Sequence, residues 1–205
     1  MWRPVEADSG EAVDWQDSDW PLLIHGAAGS GASFFTVVLA AELVRRGEPV
    51  IFACAKSEAV RRLQAELAIR QPTVRGRAVT IKNEAKLEDS QLVTVHFDRP
   101  AGLRQAITSI RDWTERFIIV KNIEHTLSPE TWPQFKSHRR LVLAGDLGLV
   151  NKMIAPDEVK STIAFSDLPR DWPFQRPKLP TYVGQFRRSD QSEQTVMVAE
   201  QRLVA

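Results

Sequence analysis

Apolar positions along the chain fall into short unbroken runs that alternate with longer amphipathic ones, in the order strand, helix, strand, helix. "PLLIH" (21–25) is apolar and leads directly into glycine, the pattern of a buried strand feeding a tight turn. "SFFTVVLAAELVRRG" (33–47) predicts a helix that is apolar nearly all round until Arg45, Arg46 and the stop at Gly47. A helix of that kind lies in the middle of a domain rather than on its surface. "PVIFACA" (49–55) predicts the next buried strand. Residues 57–69 predict an amphipathic helix with Val60, Leu63 and Leu67 on one face, Ser57 as N-cap and Pro72 beyond its end. Short strands are expected within "GRAVTIKNE" and "QLVTVHF", and a helix over 100–113, where Leu103, Ile107 and Ile110 share a face. "FIIVKNI" (117–123), "RLVLAG" (140–145) and "STIAFS" (161–166) are further strands, and "SPETWPQF" opens a short helix with Pro129 at its first position.

This alternation predicts a three-layer α/β domain with a mostly parallel sheet covered on both faces. Residues 1–20 form a lead-in hairpin and 21–166 the core. Pro169, Pro173, Pro177 and Pro180 make 167–181 a rigid connection. "TYVGQF" and "TVMVA" flank "RRSDQSEQ", so 182–205 is expected to close the chain as a hairpin.

Composition narrows the function classes. The 205 residues suffice for a proper core. With 27 basic and 26 acidic residues there is no global field that advertises nucleic acid, which leaves a nucleic-acid partner unsupported. The single cysteine, Cys54, allows no intramolecular disulfide and fits a reducing compartment. No leader pattern stands at the N-terminus, and no run reaches the ~18 apolar residues of a membrane span. The expectation is a cytoplasmic chain without membrane insertion, free or docked to a membrane complex. His25, His96, His125 and His138 show no metal-ligand spacing, and His25 reads as a loop brace. No nucleophile elbow accompanies Ser30 or Ser33. The six tryptophans either cover sheet edges or form an interface.

Candidate chemistry is concentrated in "HGAAGSGASFF" (25–35). Against the phosphate-loop pattern G-x-x-x-x-G-K-[ST] it supplies Gly26, Gly31 and Ser33, but Ala32 stands where the lysine belongs. Gly26, Gly29, Ser30, Gly31, Ala32 and Ser33 are therefore the candidate binding residues. Such a loop works by glycine-enabled backbone amides, a helix N-terminus, a lysine charge and a hydroxyl on Mg²⁺. All survive here except the lysine. The metal-ordering carboxylate should follow the apolar strand "FIIV", yet the next residues are Lys121 and Asn122, with Glu124 further on. These two losses predict that divalent metal is not firmly held and that nucleotide, ATP or ADP, binds weakly or not at all. Lys121 has three readings: it reaches the loop as a substitute charge, it pairs with Glu124, or it lies in solvent. Lys56 is a second candidate substitute.

The stretch "SGEAVDWQDSDWPLLIHGAAGSGASFF" resembles the entrance of FtsK/SpoIIIE-type motor domains, in which a short lead-in precedes the loop. "RRGEPVIFACAKSEAVRRL" is similar to that family's second strand and turn, without its aspartate. "RLVLAGDLGLV" and the strand after it resemble the sensor region, with Gly145 or Asp146 in place of a glutamine, and the closing residues resemble the terminal hairpin. KaiC- and RecA-like domains share part of the pattern. The resemblance implies a RecA/FtsK-like P-loop core of the additional-strand class. It further implies a module like the degenerate domains of EccC/EssC-type secretion motors, or a pseudo-ATPase subunit of another machine. Its expected partners are homologous ATPase domains or a secretion substrate. The alternative is an active, unconventional NTPase using Lys56, Lys121 or residues of a neighbouring subunit.

Overall fold

The computed structural model describes residues 2–55, 57–68, 73–75, 91–96, 100–149, 153–168 and 180–200. Its strands are β1 (Trp2–Glu6), β2 (Leu22–His25), β3 (Val50–Cys54), β4 (Thr73–Arg75), β5 (Leu92–His96), β6 (Phe117–Lys121), β7 (Leu141–Gly145), β8 (Ser161–Ala164), β9 (Val183–Arg187) and β10 (Glu193–Glu200). The helices are α1 (Ala32–Arg45), α2 (Ser57–Leu67), α3 (Pro100–Thr108), α4 (Ile123–Thr126) and α5 (Trp132–Phe135). Among the described residues all these strands join one sheet in the order β1-β10-β9-β8-β2-β7-β6-β3-β5-β4. From β8 to β4 every neighbouring pair is parallel, whereas β9, β10 and β1 add on antiparallel.

Side-chain alternation on these central strands feeds two cores. Leu23, Ile51, Ile118, Val120 and Leu143 face one way and meet Leu103 and Ile107 of α3 and Phe135 of α5. Leu22, Ile24, Phe52, Ile119 and Val142 face the other way and meet Phe35 and Leu39 of α1 and Leu63 of α2. Both faces are covered, which is why these strands read as continuous apolar runs. The expected three-layer architecture is present.

Three local features depart from the sequence pattern. The lead-in strand β1 pairs along its whole length with β10, from Trp2 opposite Glu200 to Glu6 opposite Val196, so the two ends of the chain build one antiparallel extension. The short helix α5 starts at Trp132, with Pro133 in its first turn, and Pro129 belongs to the preceding turn. In that turn Thr131 Oγ1 accepts from the Ser128 amide at 2.8 Å, which closes the chain before the helix can begin at 129. An additional helical turn, α4, follows β6 directly because Asn122 adopts a left-handed conformation (φ 60°, ψ 54°) and ends the strand there. Lys56, Pro72, Pro169, Pro173, Pro177 and all of "GRAVTIKNE" lie outside the described residues.

Candidate functional site

Strands β2, β6 and β7 lie side by side and end at the same edge. His25 pairs with Gly145 and Lys121 with Ala144. The carboxyl edge of a parallel sheet is where side chains and loops from neighbouring strands can converge on a ligand. Here it carries a cleft of about 410 Å³.

One wall of the cleft is the loop from β2 to α1. Gly29 (φ 83°) and Gly31 (φ 101°) both occupy the left-handed region, which glycine enters without a Cβ clash. At Gly31 space adds a second requirement, since a Cβ there would sit 2.7 Å from the Tyr182 ring and 2.9 Å from its Cα. Three amides hold the loop in place: Gly26 donates to Gly145 O, Ser30 to Ala27 O and Ala27 to Ser166 Oγ. Among the described residues, the amides of Ala28, Gly29, Gly31 and Ser33 donate to no protein acceptor. Set at the N-terminus of the 14-residue α1, such amides form a cradle suited to an anion. Gly26, Gly29, Gly31, Ala32 and Ser33 line the cleft. Ser30 plays a bracing part instead: its Oγ is turned toward the Ala32 amide at 3.5 Å, and its carbonyl accepts from the Tyr182 amide at 3.0 Å. Thr36, one turn into α1, also reaches the cleft, and its hydroxyl donates to Ala32 O at 2.7 Å.

The opposite wall comes from β6 and β7. Lys121 is the last residue of β6; it is only 6% exposed, so the solvent reading does not hold. Its Nζ donates to Asn122 Oδ1 at 3.3 Å, and the residue lines the same cleft as the loop. The left-handed turn at Asn122 then carries the chain back, so that Glu124 reaches the cleft as well. The Glu124 side chain is 11% exposed. Its Oε1 accepts from Asn122 Nδ2 at 3.4 Å and its Oε2 from the Asp146 amide at 3.1 Å. Gly145 makes room for it, since a Cβ there would lie 2.2 Å from Glu124 Oε2. The linear sequence sets Glu124 aside as too far from the strand end; the signal for it was an asparagine, which after glycine is among the residues most tolerant of a left-handed turn, directly after the apolar run. Asn122, His125 and Asp146 complete this wall.

His25 braces the edge. Its Nδ1 accepts from the Leu147 amide at 3.0 Å, which assigns the proton to Nε2, 2.9 Å from Asp167 O and 3.1 Å from Ser166 Oγ. Burial holds the imidazole below its ordinary pKa. A neutral ring thus ties β2 to the segments after β7 and β8. Buried Cys54 donates its thiol to Asn122 Oδ1 at 3.5 Å. Among the described residues no group of three or more His, Cys, Asp or Glu side chains is arranged to hold a metal ion.

No protein-family model matches the sequence, and no curated protein does. Solved structures do match. The genome packaging NTPase B204 of Sulfolobus turreted icosahedral virus 2, in complex with ATP-gammaS, aligns with a TM-score of 0.54 at 10% identity, over 85% of this chain and 94% of that one. In complex with AMP the same NTPase gives a TM-score of 0.57 at 12% identity, over 92% and 100%. The cytoplasmic domain of the Thermomonospora curvata type VII secretion ATPase EccC aligns with 98% of this chain at a TM-score of 0.57 and 11% identity. This chain spans only 26% of that one. At such identities the shared property is the fold. The chain has the fold of FtsK/SpoIIIE-like P-loop ATPases, the class its sequence resembles.

Proposed function

We propose that this chain is a catalytically impaired P-loop module that cradles nucleotide phosphates weakly and acts by binding proteins within a translocation, secretion or DNA-handling motor. The reading rests on one observation: Ala32, 4% exposed, occupies the cleft wall where the loop's lysine would stand. Phosphoryl transfer is mostly charge stabilisation by that lysine and by Mg²⁺. The amide cradle alone still favours an anion, so ATP or ADP binds without firmly held Mg²⁺. The EccC structure and the packaging NTPase support the motor context, since by name one is a type VII secretion ATPase and the other a genome packaging NTPase. In that context the partners are homologous ATPase domains or a secretion substrate, and the place of action is the cytoplasmic side of a membrane complex. Calorimetric titration of the full chain is expected to give an ATP dissociation constant of about 1 mM or weaker, unimproved by Mg²⁺. A steady-state assay is expected to detect no ATP turnover.

A second reading has its own observation: Lys121 and Glu124 line the same cleft as the loop. In it Lys121 replaces the missing cation and Glu124 supplies the carboxylate of an unconventional NTPase. Hydrolysis by the wild-type chain that is abolished in Lys121→Ala would establish this reading and overturn the first.

A further inference from the structure

We infer that Tyr182 is the stacking platform for the base of a nucleotide held in this cleft, an inference that rests on the phosphate-cradle reading above. Tyr182 and Leu149 are the large hydrophobic side chains exposed among the described residues, at 62% and 69%. Both stand near the cleft, Tyr182 beside its lining rather than within it. Leu149 lines the cleft, and Tyr182 packs against Gly31 so closely that any side chain there would strike its ring.

An exposed aromatic ring is ordinarily free to swing, but this one is fixed at its root. The Tyr182 amide donates to Ser30 O at 3.0 Å, which bonds it to the loop itself. Its backbone lies at φ 68°, a region bulky residues seldom enter. Such conformations persist only where the surroundings over-determine them. The result is a planar apolar surface, open to solvent, on a backbone that is bonded to a candidate anion cradle.

The sheet order supplies the direction. β2, which carries the loop, has β7 and then β6 on one side, and β8 and then β9 on the other. Lys121, Glu124 and Asp146 come from the β6 and β7 side. Tyr182 immediately precedes β9. Phosphates drawn toward the lysine side leave the rest of the nucleotide to run toward Tyr182. A ring face binds any planar base by stacking and reads no hydrogen-bond pattern, so the site takes purine nucleotides without strong choice between them.

The test compares ATP with inorganic tripolyphosphate, which has the phosphates but no base. Ligand ³¹P line broadening reads both in the millimolar range, and saturation transfer from protein to ATP reports contact with the base protons. The chains are wild type, Tyr182→Phe and Tyr182→Gly, the last chosen because glycine suits the positive φ and keeps the loop foldable. We expect wild type to bind ATP more tightly than tripolyphosphate, with transfer to the base protons. Tyr182→Gly is expected to lose roughly 5- to 100-fold in ATP affinity and the base-proton transfer, with tripolyphosphate unchanged. Tyr182→Phe should behave as wild type. An unchanged ATP affinity in Tyr182→Gly, or an equal loss for both ligands, overturns the platform and leaves the cradle standing. Wild type that binds neither ligand overturns the cradle and the platform together.

Discussion

In the proposed reading, the Ala32 side chain is what separates an anion cradle from an engine. The position opens α1 and faces the cleft, so a lysine there would project toward whatever the loop amides hold. Ala32→Lys is expected to tighten ATP binding by roughly one to two decades, the worth of one charged hydrogen bond, read by calorimetry. Gly145→Ala tests the other wall. Its Cβ would collide with Glu124 Oε2 and approach the Ile123 amide nitrogen to 2.9 Å. A loss of about 1–3 kcal/mol in urea denaturation is expected, as for other overpacked sites. The buried histidines give a pH signature. Burial lowers the pKa of His25 and of His138, which contacts Arg116 O at 2.8 Å. Above an unfolded value of about 6.5 both rings are neutral in folded and unfolded chains, and the full stability is present. As pH falls below that value the unfolded chain takes up protons that the folded chain refuses. Stability should then drop by up to about 1.4 kcal/mol per pH unit for each histidine until its folded pKa is passed. Denaturation midpoints at pH 7.5 and 5.5 measure it, and His138→Asn should remove part of the slope.

Among the elements, the antiparallel extension depends on contacts between the two ends of the chain. Arg188, just past β9, bonds Asp19 Oδ2 at 3.0 Å and Asp14 O at 2.7 Å, and lies over the Phe186 ring at 4.9 Å. Asp19 has no exposed surface; burial raises its pKa, while the Gln16 amide and Arg188 pull it back. Arg188→Ala should therefore cost about 3–5 kcal/mol, because it strands a buried carboxylate, whereas Asp19→Asn combined with Arg188→Met should cost much less. Paired urea titrations distinguish the two. Aromatic packing acts beside the ion pair. Trp15 stacks on Trp20 at 5.6 Å and touches Phe186 at 5.5 Å, so two of the tryptophans that could have formed an interface are packing the extension onto α1. The central strands were legible from their apolar runs, because a parallel strand buried on both faces has no polar side to confuse the pattern. The pairing of β1 with β10 was not, since the partners are nearly two hundred residues apart and neither strand names the other.

Over the whole molecule the sheet is continuous from β1 to β4, and Phe186 and Val196 of the closing hairpin belong to the same core as β2 and α1. A chain ending at residue 166 would leave β1 without β10 and expose that core. It is expected to lose the cooperative thermal transition of the full chain, as followed by circular dichroism; a truncated chain that melts as the full one does would show that the core stands alone. Among the described residues no helix is long and apolar enough to cross a membrane. The fold shared with the packaging NTPase and the secretion ATPase places the loop at the carboxyl edge of the sheet, but the fold does not decide whether the cleft is an engine. That depends on the few charges that reach it.

Local chemistry in the sequence was enough to determine the strand-helix alternation, the glycine loop at 26–31 and the absence of its lysine, because each is written in neighbouring residues. Only the tertiary structure decided which distant groups meet that loop. A left-handed turn at Asn122 and the bare Cα of Gly145 bring Glu124 to the cleft, and a bond to Ser30 sets Tyr182 at its margin. Backbone direction at single residues and strand order across the sheet control those meetings, and neither is encoded in any one stretch of the chain.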